Sequence, residues 1–288
     1  MKTLVTRAIT GIIFVAVLVY CIMRGHDTFG GLFLVISALS TAEFCSIVNK
    51  QEGVDVNTFV CSISAMLLFA GFYTMAQGLD NALIFLPYLL SLIYLLVGEL
   101  YWQKESPLQN WAYTMLSQLY VALPFALLNF IAFQNDPQYL PHPVPVYRFI
   151  MVLAVFLFLW ASDSGAYLVG CTLSRYIPYK LFPRVSPNKS WIGSIGGGLL
   201  AVGVAALVAK YDNSLTTVQW MGFALTVVVF GTWGDLVESL LKRQLGIKDS
   251  GHVLPGHGGM LDRFDSSLLA IPAVLIYLSV IQMHGLGA

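Results

Sequence analysis

The sequence contains too few charged residues to cover a water-facing surface. Only 10% of its 288 residues are charged, whereas 57% are hydrophobic, and the mean hydropathy is +0.75. A soluble globular protein is typically about 25% charged. We therefore expect the lipid bilayer to be part of the solvent of this chain. The formal net charge is zero at pH 7, so the overall charge indicates no class of partner.

Two common functional motifs are also missing. The four cysteines are scattered through apolar stretches without a Cys-x-x-Cys pair, so we interpret them as small hydrophobic residues that say little about redox compartment. A run of three glycines, Gly196 to Gly198, lacks the Gly-Lys-Ser/Thr ending of a P-loop. This run lies inside an apolar segment, where close packing of helices is its expected role.

Long apolar segments make up most of the chain. A membrane-spanning helix needs roughly 20 apolar residues, whereas a barrel would show short alternating segments. We predict spans at residues 4–23, 29–48, 58–77, 82–101, 112–133, 147–170, 191–209, 218–241 and 266–284. The sequence therefore indicates an all-α, polytopic membrane protein of about nine transmembrane helices. Because polar residues gather after residue 160, we interpret residues 1–146 as a five-span scaffold and residues 147–288 as a four-span catalytic region.

The distribution of lysine and arginine predicts the orientation of these spans. With the N-terminus in the cytoplasm, twelve of the 15 basic residues lie on the cytoplasmic side, as the positive-inside rule expects. Eight of these twelve lie in two loops, residues 171–190 and 242–265, where binding of an anionic ligand is an alternative reason for their charge. We predict a cytoplasmic N-terminus, and both loops lie on the same side because two spans separate them.

The richest group of polar residues begins at Gly234. If this segment is helical, one face carries Asp235, Glu238, Ser239 and Lys242. Carboxylates at the end of a membrane helix are unfavourable unless a cation, a polar partner or water meets them. An i,i+4 ion pair between Glu238 and Lys242 is a purely structural explanation, but it leaves Asp235 unexplained.

A glycine-rich loop follows Lys248 and Asp249, and Asp262 and Asp265 open the last predicted span. Glycines let backbone N–H groups approach an anion closely. Carboxylates that flank such a loop suit Mg²⁺, which takes one or two carboxylates and completes its shell with phosphates and water. A structural cap at the helix N-terminus is the alternative for these two acids. No thiol accompanies the histidines of the loop, which argues against zinc.

A second polar group lies earlier in the chain. Asp163 stands inside an apolar run, which makes it a functional candidate, with a hydrogen bond between packed helices as the alternative. The basic loop after this run ends in Ser186-Pro-Asn-Lys189-Ser190, just before a predicted helix. Hydroxyls and a lysine at a helix N-terminus suit a polyphosphate, although basic loops also bind anionic lipid surfaces. The sequence thus predicts an anionic, phosphate-rich ligand at a membrane-resident site.

These motifs resemble those of the phosphatidate cytidylyltransferases, also called CDP-diacylglycerol synthases. The family signature matches without departure the spacing Ser239-x₂-Lys242-Arg243-x₄-Lys248-Asp249-x-Gly251-x₂-Leu254-Pro255-x-His257-Gly258-Gly259-x₂-Asp262-Arg263-x-Asp265. Two upstream family motifs resemble Asp163-Ser-Gly-Ala-Tyr167 and Ser186-Pro-x-Lys189-Ser190. The resemblance therefore covers residues 160–265, whereas the first 150 residues match only as a series of spans.

The resemblance implies a reaction of phospholipid biosynthesis. CTP and phosphatidic acid would give CDP-diacylglycerol and pyrophosphate with Mg²⁺, for which Mn²⁺ is an expected substitute, and a second cation is left open. The expected partners are the two substrates and membrane lipids, without nucleic acid, and a homodimer is left open. The expected location is the bacterial inner membrane, with the active site on its cytoplasmic side.

The resemblance also implies roles for individual residues. Asp235 and Asp262 would be metal ligands and catalytic residues, with Asp249 and Asp265 as helpers. Contacts to phosphates would come from five basic residues, Lys189, Lys242, Arg243, Lys248 and Arg263. Further substrate-binding residues would be Asp163, Ser186, Ser190, His257, Gly258 and Gly259.

Two other functions remain open from the residues alone. A transporter of an anionic lipid or nucleotide would be expected to carry polar residues along several spans, whereas the early spans here are plain apart from Glu43 and Glu99. A cytidylyltransferase or CTP-dependent kinase that acts on another lipid would use similar chemistry. Assays with labelled CTP and different lipids distinguish these functions.

Overall fold

The computed structural model describes residues 2–136, 144–173, 175–177, 179–251 and 258–285. The ten α-helices are α1 (Lys2–Arg24), α2 (His26–Val48), α3 (Thr58–Ala76), α4 (Leu86–Trp102), α5 (Pro107–Leu116), α6 (Leu123–Ala132), α7 (Phe149–Leu173), α8 (Trp191–Tyr211), α9 (Thr217–Gln244) and α10 (Leu261–Gly285). A 3₁₀ turn, Ala82–Phe85, precedes α4, and a π-helical segment, Ser117–Ala122, joins α5 to α6.

The helices confirm an all-α, polytopic membrane protein. Within the described ranges, eight helical segments are long and apolar enough to cross a membrane: 26–48, 58–76, 82–102, 107–132, 149–173, 191–211, 217–244 and 261–282. The remaining predicted span coincides with α1, whose apolar part, Ile9–Arg24, is shorter. The ninth span and the orientation of the N-terminus stay predictions.

The fifth span begins earlier than the apolar pattern indicated. The fifth predicted span starts at Pro107 rather than at residue 112, because proline suits the first position of a helix. The first turn of this helix contains the polar residue Asn110, whose side-chain amide donates to the buried Glu99 carboxylate at 2.9 Å. Lys104 lies 3.5 Å from the other oxygen of Glu99, so this span glutamate is neutralised locally.

Two short antiparallel hairpins lie in loops that the sequence left without strands. In the first, β1 (Phe133–Asp136) pairs with β2 (Val144–Tyr147). In the second, β3 (Lys180–Phe182) pairs with β4 (Ser186–Ser190), and Lys180 lies opposite Ser190. Strands of three to five residues carry too little alternation to be recognised beside the long apolar spans.

The chain forms two compact units that are interleaved in the sequence. The first unit comprises Met1–Phe149 and Leu245–Phe264, and the second comprises Ile150–Gln244 and Asp265–Ala288. The functional division at residue 146 that we inferred from the polar residues stays a prediction.

Aromatic side chains form much of the interior of the first unit. The ring of Phe264 packs edge-on against Phe14, Phe33 and Phe125 at centroid distances of 5.4–6.2 Å. These contacts hold the first turn of α10 within the first unit. The Tyr147 hydroxyl donates to the carbonyl oxygen of Ile22 at 2.8 Å, and burial raises the pKa of this tyrosine.

Close approaches at glycine hold the second unit together. A Cβ atom at Gly197 would lie 2.5 Å from the carbonyl oxygen of Ser162, and one at Gly165 would lie 2.8 Å from that of Gly196. Helices α7 and α8 therefore touch backbone to backbone. This confirms packing as the role of the Gly196–Gly198 run.

Candidate active site

A cavity of about 520 Å³ lies in the second unit and is lined by α7, the β3–β4 hairpin, α8, α9 and the start of α10. Its polar side chains are Ser162, Asp163, Tyr167, Lys180, Asn188, Lys189, Ser190, Ser194, Thr232 and Ser266. Three predicted site residues, Asp163, Lys189 and Ser190, are therefore brought to one cavity. Ser194 and Thr232 were not predicted, because isolated polar residues in apolar helices carry no distinctive pattern. Asn188 was given no role, although it lies within the Ser186–Ser190 motif.

The N-terminus of α8 opens onto this cavity. The helix begins at Trp191, as predicted, and Ser190 is its N-cap, whose hydroxyl accepts from the Gly193 amide at 3.2 Å. Gly193 and Ser194 of the first turn line the cavity. The Trp191 amide donates to the Tyr179 carbonyl oxygen at 3.1 Å, so the positive end of the helix dipole is what favours an anion here. The geometry of the Ser186–Ser190 motif thus suits a phosphate.

An ion pair joins the two polar groups that the sequence presented separately. Lys189 of β4 contacts the Asp235 carboxylate of α9, and both side chains are 28% exposed. The Ser239 hydroxyl donates to the other oxygen of Asp235 at 3.2 Å. Both residues had predicted site roles, but no sequence pattern indicated their contact. Such a half-exposed lysine is available to exchange its carboxylate for a phosphate.

An ion pair between Glu238 and Lys242, four residues apart on α9, lies on the same helix beyond Asp235. The Lys242 ammonium lies 2.5 Å from the Glu238 carboxylate, which is fully buried. The structural alternative for this face is therefore present, although Glu238 is buried rather than solvated. The predicted phosphate contact of Lys242 stays a prediction.

Helices α9 and α10 approach closely beside Asp235. A Cβ atom at Gly234 would lie 2.7 Å from the carbonyl oxygen of Asp265 and 2.9 Å from that of Ser266. The Asp265 carboxylate accepts from the Ser266 amide at 2.5 Å. This close approach brings the backbone that carries Asp235 next to that of Asp265 within the second unit.

The glycine-rich loop belongs to the first unit and is organised by Asp262. One carboxylate oxygen of Asp262 accepts from the amides of Ser250 at 2.8 Å and Gly259 at 2.9 Å. A Cβ atom at Gly258, where φ is +82°, would lie 2.6 Å from this same oxygen. Asp262 therefore organises the loop by accepting from two of its amides, a structural role other than the helix cap that was the alternative, and only glycine fits at residue 258.

Other predicted residues lie at the surface or outside the described part of the chain. Arg243, Lys248, Asp249 and Arg263 are exposed, and Ser186 is half-buried. His257 lies outside the described residues. The individual site roles of these residues stay predictions.

Sequence reasoning missed the role of Glu43, which it noted only as an acid in an otherwise plain span. Its carboxylate accepts from the amides of Met260 and Leu261, each at 2.8 Å, at the start of α10. A carboxylate in an apolar span was the available signal, since such groups are retained when they have a partner.

The chemistry of the donors fits a magnesium ion that is shared with a phosphate ligand. Among the described residues, no group of three or more histidine, cysteine or acidic side chains forms a protein cage for a metal. Mg²⁺ needs only one or two carboxylates when phosphates and water complete its shell. Asp235 and Asp262 are each oriented by hydrogen bonds, as metal-binding carboxylates usually are. Each is therefore a suitable ligand, and their joint site stays a prediction.

Known proteins resemble this chain over most of its length. The sequence profile described as the cytidylyltransferase family matches residues 5–281. The phosphatidate cytidylyltransferase of Staphylococcus haemolyticus (strain JCSC1435) is 36% identical over 174 residues, which cover 60% of each protein. That of Staphylococcus aureus (strain COL) is 44% identical over 128 residues, which cover 44% of this chain and 48% of that protein. That of Haemophilus influenzae (strain ATCC 51907 / DSM 11121 / KW20 / Rd) is 32% identical over 233 residues, which cover 75% of this chain and 78% of that protein. The matches thus span 48% and 60% of the two staphylococcal relatives.

Proposed function

This chain belongs to the cytidylyltransferase family, and from that premise we propose that it transfers the cytidylyl group of CTP to phosphatidic acid. The products are CDP-diacylglycerol and pyrophosphate. The observation that carries the proposal is the cavity whose lining combines Lys189, the ion-pair partner of Asp235, with the N-terminus of α8. Phosphatidic acid reaches such a membrane-resident site laterally, and CTP reaches it from water.

The proposed reaction needs no nucleophile from the protein. An oxygen of the phosphatidate phosphate, already ionised at pH 7, forms a bond to the α-phosphorus of CTP. The bond from that phosphorus to the β-phosphate oxygen breaks, and pyrophosphate leaves with the electron pair. Catalysis then consists of positioning the two anions and neutralising their charge.

The described residues supply these two effects in different ways. Lys189 offers a mobile ammonium, and the positive end of the α8 dipole, beside Gly193 and Ser194 in the cavity lining, favours the charge of the triphosphate. Mg²⁺, with Mn²⁺ as a substitute, would be held by Asp235 and by Asp262 and would neutralise charge at the reacting phosphates. Asp163 lines the same cavity, where it would contact a polar group of either substrate.

A transfer assay with purified protein tests this function. We expect label from α-labelled CTP to appear in a lipid product with phosphatidic acid and Mg²⁺, together with an equal amount of pyrophosphate. Polyisoprenyl phosphate and an isoprenoid alcohol serve as competing lipid acceptors. Transfer to either of these but not to phosphatidic acid would reject the proposed substrate, and absence of transfer to any lipid would reject the proposed activity.

The proposal includes a cytoplasmic active site in a bacterial inner membrane, which a labelling experiment tests. Cys171 is exposed and lines the cavity, so it is a native probe once Cys21, Cys45 and Cys61 are replaced. We expect an impermeant maleimide to label Cys171 only from the cytoplasmic side, because the basic loops are retained there.

Two matched probes complete this experiment in a background that also lacks Cys171. Gln244 and Asn213 are both exposed. Gln244 is the last residue of α9, and Asn213 lies shortly before its first residue, so the two probes mark opposite ends of this helix. Gln244→Cys should react from the cytoplasmic side and Asn213→Cys from the other side. Reaction of Cys171 and Gln244→Cys from outside intact cells would reverse the predicted orientation.

A further inference from the structure

Glu43 is a buried acid on α2 whose hydrogen-bond partners, Ser250, Met260 and Leu261, lie at the two ends of the glycine-rich loop. It is 8% exposed, within a helix long and apolar enough to cross a membrane. One oxygen accepts from the Met260 amide at 2.8 Å, and the other accepts from the Leu261 amide at 2.8 Å and the Ser250 hydroxyl at 3.3 Å. These contacts join segments that are more than 200 residues apart in the sequence, all within the first unit.

The bonds to Glu43 satisfy groups that the helix itself cannot satisfy. Leu261 is the first residue of α10, so its amide has no acceptor within the helix. A carboxylate at a helix N-terminus is further favoured by the helix dipole. Glu43 therefore fixes both the place where α10 begins and the direction in which the loop enters it.

The glycines on either side of the loop make this contact possible. A Cβ atom at Gly251 would lie 2.7 Å from one oxygen of Glu43, and a Cβ atom at Gly259 would collide with the same carboxylate. Side chains at these two positions would push the loop away from α2. Packing on Glu43 thus explains glycines that the sequence connected only with an anionic ligand.

Ser250 connects Glu43 to Asp262. Its hydroxyl donates to Glu43, and its amide donates to Asp262 at 2.8 Å. The Asp262 amide in turn donates to the Ser250 hydroxyl at 3.3 Å. The orientation of the Asp262 carboxylate is therefore set by a hydrogen-bonded chain that begins at Glu43.

We propose that Glu43 is a positioning residue for the reaction, which acts by holding the glycine loop and Asp262 in place. This inference rests on the proposed function, in which Asp262 serves the metal. It gives a role to a residue of the N-terminal spans, which the family motifs leave without one. Glu43 touches no substrate in this proposal and acts through Ser250, Met260 and Leu261.

The substitution Glu43→Gln tests the proposal, because it keeps the shape but points an amide N–H at one backbone donor. We expect kcat/KM for CTP to fall roughly 10- to 100-fold, as a displaced reactive group typically causes. The Mg²⁺ concentration for half-maximal rate should rise as well. Hydrogen exchange at the Met260 and Leu261 amides should become faster, a readout that does not depend on activity.

Glu99→Gln is the matched control, since Glu99 is also a buried glutamate in a span of the first unit. Its partners are Lys104 and Asn110, outside the glycine loop. We expect this variant to lose thermal stability while it keeps the wild-type Mg²⁺ dependence and the slow exchange at Met260. Equal Mg²⁺ dependence and equal kcat/KM in the two variants would overturn the positioning role.

If Glu43→Gln does not fold, the proposal is tested with the variant Gly251→Ala and with hydrogen exchange in the wild-type protein. Gly251→Ala presses on the same carboxylate from the loop side and should reproduce the change in Mg²⁺ dependence. In wild-type protein, fast exchange of the Met260 and Leu261 amides would refute the contact itself. Wild-type protein that transfers no label to phosphatidic acid would instead refute the proposed function, so the two failures are distinguishable.

Discussion

Asp235→Asn should abolish transfer of the cytidylyl group while leaving the fold nearly intact. Asparagine keeps the size of the side chain and still accepts from Ser239, but it removes the charge that pairs with Lys189. A metal ion typically contributes several kcal/mol at reacting phosphates, which corresponds to about a thousandfold or more in rate. We therefore expect turnover below detection in an assay of CDP-diacylglycerol formation across a titration of Mg²⁺ and Mn²⁺.

Binding of CTP should survive this substitution, which separates the metal from the substrate. Asp235→Asn releases Lys189 from its ion pair, so the ammonium becomes more available to a phosphate. Cys171 lines the same cavity, so bound CTP should protect it from maleimide. Without Mg²⁺, this protection should be at least as strong in the Asp235→Asn variant as in the wild type. Size-exclusion chromatography checks that the variant remains monodisperse.

Three further substitutions sharpen this prediction. Asp262→Asn should also abolish turnover, whereas Asp265→Asn should lower it by roughly 10–100-fold, as for a residue that supports a metal ligand. Asp212→Asn is the matched control, since Asp212 follows α8 at the end opposite Ser190 and should retain wild-type rates. Wild-type rates at low Mg²⁺ for Asp235→Asn and Asp262→Asn would reject the carboxylate–metal mechanism and leave these acids with structural roles.

Lys189→Ala should weaken the use of CTP more than the use of phosphatidic acid. The lysine lines the cavity beside the N-terminus of α8, where its ammonium and the positive end of the helix dipole both favour a triphosphate. Loss of one charge-assisted contact to phosphate typically removes roughly 1.5–3 kcal/mol, which is about ten- to a hundredfold in affinity. Steady-state kinetics with each substrate varied in turn should therefore show a raised KM for CTP at a nearly unchanged KM for the lipid.

Protection of Cys171 provides a test of this assignment that needs no turnover. We expect Lys189→Ala to require about ten- to a hundredfold more CTP for half protection than the wild type, on the same contact energy. Arg184→Ala is the matched control, because Arg184 is an exposed basic residue of the same hairpin that does not line the cavity. An unchanged requirement for CTP together with a raised KM for the lipid would assign Lys189 to phosphatidic acid.

The apolar pattern was sufficient to predict the membrane class and the places of the helices. A span must satisfy its backbone hydrogen bonds internally and must be apolar over roughly 20 consecutive residues, so its signal is contiguous in the sequence. Each of the nine predicted segments coincides with a helix or with the joined segments 82–102 and 107–132. The family motifs are likewise contiguous, which is why they indicated the same family as the profile match.

The tertiary structure alone decided which polar groups meet. The Lys189–Asp235 pair joins residues from β4 and α9, and the contacts of Glu43 with Met260 and Leu261 bridge 217 and 218 residues of chain. Neither contact has a sequence period, because each depends on how helices pack rather than on spacing along one helix. The start of α10 at Leu261 shows the consequence. Hydropathy placed this start at residue 266, but a carboxylate from α2 satisfies the first amides and lets the helix begin a turn earlier.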